Sequence, residues 1–243
     1  MPIWFIAATA GVAVLAGATA SVVGFGIGSL LTPLIAWRFG TDAAVAAIAL
    51  PHLAGGLLRG WRLRSDIDRS ILLRFGALSA AGGLIGALAF ANLAPDILGL
   101  LLGALLVLTA TAGLTQWANR WTPHGVLIWI LGALSGFFGG VVGNQGGLRA
   151  AALAQFRLKP AAFVATSTVI GVLIDVVRSP IYVLRVGDRL WTMWMLVGIM
   201  ILGVVAGTLA GERILLGLSH ERFRTMVSAA VGLLGIWFLV RSA

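Results

Sequence analysis

The chain has no cysteine, so disulfides and thiolate metal sites are excluded. Charge is also scarce: 10% of the 243 residues are charged, where a soluble domain carries about 25%. The three histidines, His52, His124 and His220, show no metal-ligand spacing. There is no phosphate-cradling P-loop, so ATP drives no step within this chain. There is no haem or flavin motif and no plausible nucleophile–base pair. An enzyme is therefore disfavoured, and no cofactor is expected. Acidic residues are few, 8 against 17 Lys and Arg, for a formal net charge of +9. This excess does not indicate nucleic acid. All but one of the basic residues are Arg, and nearly all lie at the ends of apolar runs, where orientation-setting and headgroup-facing charges belong.

What fills the chain is apolar: 60% of residues are hydrophobic and the mean hydropathy is +1.04. Uncharged runs cover residues 1–37, 43–58, 75–95, 97–119, 121–148, 160–174, 190–211 and 225–240. One helical crossing needs about 20 residues, and the apolar/polar alternation of an outer-membrane barrel is absent. The expected fold is all-α and polytopic, with about eight hydrophobic units embedded in a lipid bilayer. Trp4, Trp37, Trp61, Trp121, Trp191 and Trp237 lie near segment ends, as interfacial anchors do. Arg59, Arg62, Arg64, Arg69 and Arg74 form the densest basic cluster and read as a cytoplasmic loop. Asp66, Asp68 and the stretch 185–189 also read as loop charges. The N-terminal apolar run lacks a basic leader and is too long for a signal core, so the first hydrophobic unit is expected to be retained.

The chain reads as two copies of one unit, residues 15–115 and 131–240. This divides it into a first membrane repeat at 1–118, a linker at 119–124 and a second membrane repeat at 125–243. Leu15-Ala16-Gly17 echoes Leu131-Gly132-Ala133, and the glycine-rich break at 24–28 echoes Gly140-Val141-Val142-Gly143 and the residues after it. Gly82 and Gly86 match Gly203 and Gly207, with Gly211 continuing the spacing. Small residues four apart bring helices close. Duplication with glycine-interrupted segments at matching positions points to a transporter and to its binding site. In each half the first unit predicts a broken helix or re-entrant hairpin, with half-helices at 30–39 and 148–156 whose N-termini face one central region. If the broken units return to their starting side, the repeats are inverted. If they cross, the repeats are parallel. Basic residues divide more unevenly between the two sides in the inverted arrangement, which favours it.

The run Gly143-Asn144-Gln145-Gly146-Gly147-Leu148-Arg149 places two carboxamides and a guanidinium in an apolar segment. An ionisable group at membrane depth marks a substrate path by default, and a glycine-rich turn leaves N–H groups free to face an anion. Arg149 offers five donors in a planar fork suited to oxyanions. The alternative is that it caps a helix end or snorkels to an interface. Asn144 and Gln145 are candidate ligands, or partners for the broken backbone. Gly24, Gly26, Gly28, Gly143, Gly146 and Gly147 shape the turns. Ser29, Thr166, Ser167 and Thr168 are the candidate hydroxyls, against the usual reading that such groups bond their own helix. His52 is a candidate proton carrier or a packing residue. Asp175 and Arg178, three apart on one face, are a coupling or gating pair, or a structural ion pair near the membrane edge.

Two repeats of four units, each opening on a glycine break, resemble the TauE/SafE sulfite exporter (TSUP) family over nearly the whole chain. Gly24-Phe25-Gly26-Ile27-Gly28-Ser29-Leu30-Leu31-Thr32-Pro33-Leu34 is close to the family's glycine motif with its following proline. In the second half this chain sets Asn144-Gln145 ahead of Gly146-Gly147, where three glycines and a proline would be usual. The resemblance implies export of small sulfur-containing anions such as sulfite or organosulfonates. The residues leave a secondary carrier, a passive anion channel and a non-transporting scaffold open. Arg-heavy, Ala/Gly-rich usage suggests a GC-rich bacterium, hence a multi-pass protein of the inner membrane. A homodimer is allowed, but no motif demands it.

Overall fold

The computed structural model describes residues 1–24, 26–115, 124–144, 146–215 and 220–242. Gln145 and most of the predicted linker at 119–124 lie outside the described residues. Among the described residues there is no strand. The helices are α1 (Ile3–Val23), α2 (Ile27–Phe39), α3 (Thr41–Arg62), α4 (Arg69–Phe90), α5 (Pro95–Thr115), α6 (Val126–Val142), α7 (Gly146–Leu153), α8 (Pro160–Thr192), α9 (Trp194–Leu215) and α10 (His220–Ser242). Within these residues, six helices are long and apolar enough to cross a membrane, and Ile27–Phe39, Val126–Val142 and Val227–Arg241 are shorter apolar helices. The protein is an all-helical, polytopic membrane protein, as its hydropathy predicts.

Both predicted breaks are hairpins. α1 stops at Gly24, which takes the left-handed conformation (φ 84°) and donates its N–H to Ala20 O at 2.9 Å. Side chains rarely adopt that conformation, and glycine adopts it at no steric cost. α2 begins three residues later, at Ile27, and runs back along α1. Its far end meets the start of α1, with Trp4 6.2 Å from Trp37 and Phe5 6.1 Å from Phe39, ring centre to ring centre. The second half repeats the construction. α6 stops at Gly143 (φ 72°), whose N–H bonds Gly139 O at 3.0 Å. The turn after α7 brings Phe156 within 6.3 Å of Trp129 near the start of α6. The half-helices begin a little earlier than 30 and 148, because glycines at their first turns fit the tight entry.

Four helix pairs carry most of the packing. α3 and α8 run antiparallel: His52 meets Asp175, Arg59 meets Thr168, and Asp42 at the start of α3 pairs with Arg189 near the end of α8. α5 and α10 are also antiparallel, with Gly103 against Gly235 and Gly113 against Ser228. α1 and α9 run parallel: Gly203 faces Ala13, Gly207 faces the Val14 carbonyl and Gly211 faces Ala18. α4 and α6 do the same, with Gly82 against the Ala133 carbonyl and Gly86 against the Phe137 carbonyl. The glycines spaced by four thus serve the packing role expected of them. A Cβ at Gly86 or Gly207 would run into a neighbouring backbone, so these helices approach at backbone distance.

Two readings of the charges need correction. Arg59 is no loop residue: it lies in the last turn of α3 and is 4% exposed, because α3 continues past it to Arg62. Arg69 and Arg74 likewise lie in the first turns of α4, so that of the five only Arg64 falls in the connection. Residues 185–189 belong to the end of α8, which is interrupted only at Val186 (φ −131°). Asp66 and Asp68 do lie between α3 and α4, and the Asp68 carboxylate accepts the Ile71 N–H at 3.0 Å to start α4.

Candidate functional site

The two breaks touch. Gly28, in the first turn of α2, packs so closely on the Gly143 carbonyl that a Cβ would overlap it. Beside this contact Ser29 Oγ donates to Asn144 Oδ1 at 3.0 Å, a buried bond between residues 115 apart in sequence. The Asn144 Nδ2 amide is buried and has no hydrogen-bond partner among the described residues. On the other side of the junction Gly24 packs against Val164 and lies near Ser167 Oγ on α8.

One face of α8 supplies the polar groups. Ser167, Gly171, Asp175, Arg178 and Tyr182 recur at intervals of three or four residues, which align along one side of a helix. Arg149, projecting from α7, is 1% exposed, and its Nε donates to Ser167 Oγ at 2.9 Å. Its Nη1 has no hydrogen-bond partner among the described residues. Gly171 opens a space into which both the Arg149 guanidinium and the His52 ring reach. His52 Nδ1 lies 2.5 Å from Asp175 Oδ2. The other carboxylate oxygen takes Arg178, with Nε at 2.9 Å and Nη2 at 2.7 Å. Asp175 and Arg178 are both 0% exposed. The pair therefore sits in the protein core.

Arg178 and Tyr182 also explain how the second break is held. A helix that stops leaves its last carbonyls without partners. Arg178 Nη1 donates to Gly139 O at 2.5 Å, and Tyr182 Oη donates to Gly140 O at 2.6 Å. The end of α6 is thus satisfied from α8, in a place water does not reach.

The other sequence-derived candidates lie around this junction. Gly146 opens α7 and is buried, while Gly147 faces Thr109 of α5. Gly26 caps α2 and lies against Thr19 of α1. Thr166 Oγ1 accepts the Asp68 N–H at 2.9 Å and so ties α8 to the α3–α4 connection, away from the junction. Gln145 is outside the described residues. The structure thus brings together Gly24, Gly28, Ser29, Gly143, Asn144, Arg149, Ser167, His52, Asp175 and Arg178. It leaves Gly26, Gly147 and Thr166 on neighbouring contacts.

Two residues at this site escaped the sequence reading. Arg59 was hidden by Arg62 and Arg64 beside it. Its Nε donates to Thr168 Oγ1 at 3.3 Å and its Nη1 has no hydrogen-bond partner among the described residues. The signal was its spacing: Arg59 lies seven residues after His52 and so shares its face. Tyr182 carried a plainer signal, being the one tyrosine in the chain, seven residues after Asp175.

No curated protein and no solved structure matches this chain. The family model described as Sulfite exporter TauE/SafE matches residues 9–238. With nearly the whole length matched, and the glycine motif of 24–34 inside the match, the chain belongs to the sulfite exporter TauE/SafE family of membrane transporters.

Proposed function

We propose that this protein is a secondary carrier exporting a small sulfur oxyanion or sulfonate across a bacterial inner membrane, with the anion held by Arg149 beside the paired breaks. One observation carries the reading: the Arg149 guanidinium is buried, its Nε donates to Ser167, and among the described residues its Nη1 has no hydrogen-bond partner and the group has no carboxylate partner. A buried guanidinium without a counter-charge is costly, and an anion offsets that cost. Ser167, Asn144 Nδ2 and the first N–H groups of α2 and α7 are the further donors that would replace the anion's water shell. Family membership supplies the sulfur chemistry and makes transport the expected activity instead of catalysis.

The packing supports a reading of the chain as two inverted repeats, 1–118 and 125–243. Each half holds a hairpin followed by three long helices. The matched helices α3 and α8 run antiparallel, as do α5 and α10. An axis in the membrane plane produces that relation, and an axis along the normal does not. Alternating access then results from rocking one repeat on the other about the fixed junction. His52, Asp175 and Arg178 adjoin the Arg149 site through Gly171, which suits them to couple its occupancy to that motion.

The test is flux into proteoliposomes of sulfite, thiosulfate, sulfoacetate and a carboxylate control. Wild type is expected to carry the sulfur anions, and Arg149→Ala to lose at least about tenfold of that flux, a loss of the size expected on removal of a buried charged contact. Wild-type rates in Arg149→Ala would remove the site. A steady current that scales with voltage and saturates only at high substrate would identify a channel. No flux at all would leave the scaffold reading.

A further inference from the structure

We propose that the site selects doubly charged oxyanions over singly charged ones, and that Arg59 sets this preference. The inference rests on the reading of Arg149 as the cation that holds the anion. The buried charges near the junction are three guanidiniums, Arg59, Arg149 and Arg178, and one carboxylate, Asp175. Asp175 is committed: one oxygen faces His52 and the other faces Arg178. Two positive charges are then left without a carboxylate among the described residues, on side chains 4% and 1% exposed.

The two are held in the same way. Arg149 Nε donates to Ser167 Oγ at 2.9 Å and Arg59 Nε to Thr168 Oγ1 at 3.3 Å, hydroxyls of consecutive residues on α8. A tether through Nε fixes the plane of a guanidinium and leaves its far nitrogens for something else. In both residues Nη1 is buried without a hydrogen-bond partner among the described residues. The arms come from different elements, Arg149 from α7 and Arg59 from α3, and converge on α8. Each hydroxyl, having accepted from Nε, keeps its own proton to donate. A singly charged guest cancels one of the two charges and leaves the other buried and unpaired. A doubly charged guest cancels both, and its separate oxygens can take one fork each. Sulfite in its fully deprotonated form and thiosulfate meet that requirement, and a simple alkanesulfonate does not.

The experiment compares thiosulfate with methanesulfonate in proteoliposomes of the full chain, with the membrane potential clamped at zero so that charge alone does not bias the flux. Wild type is expected to prefer thiosulfate by roughly 30-fold, the factor corresponding to one buried charge left unpaired. Arg59→Gln is expected to bring the ratio toward parity by losing thiosulfate flux, and Arg59→Lys to keep the preference. Equal wild-type fluxes overturn the inference, and so does an Arg59→Gln protein with the wild-type ratio. If Arg59→Gln carries neither anion, the Arg59→Lys ratio decides: a retained preference supports the inference and parity overturns it. Failure here is separable from failure of the anion site. An inactive Arg149→Ala with an unchanged Arg59→Gln ratio sinks only the charge selection.

Discussion

Asp175 and Arg178 form the most enclosed ion pair in the protein's described residues, and a double-mutant cycle tests the account of it. Asp175 makes three contacts, at 2.5, 2.7 and 2.9 Å, all inside a dry core. Removing one partner of such a pair costs roughly 3–5 kcal/mol, because a buried charge is left without compensation. Asp175→Asn keeps one acceptor oxygen, which serves His52 or Arg178 but not both, so its cost should fall near the lower end, about 3 kcal/mol. Arg178→Gln strands the carboxylate and also frees the Gly139 carbonyl at the end of α6, which adds about 1 kcal/mol. The double variant Asp175→Asn/Arg178→Gln buries no charge at the pair and should recover about 2 kcal/mol relative to the sum of the singles. Thermal unfolding in detergent reads these values. At roughly 2–4 °C per kcal/mol for a chain of this size, each single variant should melt about 10 °C below wild type. The cycle fails if the double variant equals the sum of the singles. It also fails if Asp175→Asn melts with wild type, since Asp175 would then hold no charge in place.

Two further outcomes are expected from the hairpins. The chain has no cysteine, so single cysteines report sidedness directly. Ile3→Cys and Trp37→Cys are expected to be labelled by a membrane-impermeant maleimide from the same side of oriented vesicles, and labelling from opposite sides would show that α1 and α2 cross as one. Gly28→Val places a side chain against the Gly143 carbonyl, and should cost about 1–3 kcal/mol by overpacking and abolish flux. Gly11→Ala, which meets open space, should be neutral or gain up to about 1 kcal/mol from helix propensity. Equal stability and flux in these two variants would mean that the breaks do not need to touch.

Much of this was legible in the chain. Glycine at 24 and 143 is required by φ values that few other residues adopt, so the breaks stand out in the sequence as glycine clusters within apolar runs. The glycines spaced by four announce backbone-close helix packing because only a missing side chain permits it. Arg149 is conspicuous because its neighbours are apolar. Arg59 was misread for the opposite reason. Charge clusters at a helix end are ordinarily solvated, and only the depth of α3 against α8 separates Arg59, which is buried, from Arg62 and Arg64, which are not. Asp175 and Arg178 were correctly paired by their spacing, but their full burial was not legible, since a helical interval fixes which residues share a face and says nothing of what packs against that face.

The residue order by itself thus determined the class, the two glycine turns and the polar residues near them, because hydropathy and backbone sterics are local properties. Which of those residues meet was decided by tertiary structure. The Ser29–Asn144 bond, the His52–Asp175–Arg178 chain and the convergence of Arg59 with Arg149 on adjacent hydroxyls each join segments far apart in sequence. Such contacts exist only once the two breaks meet and α3 and α7 pack on α8, closing out the water and turning scattered polar side chains into one buried cluster.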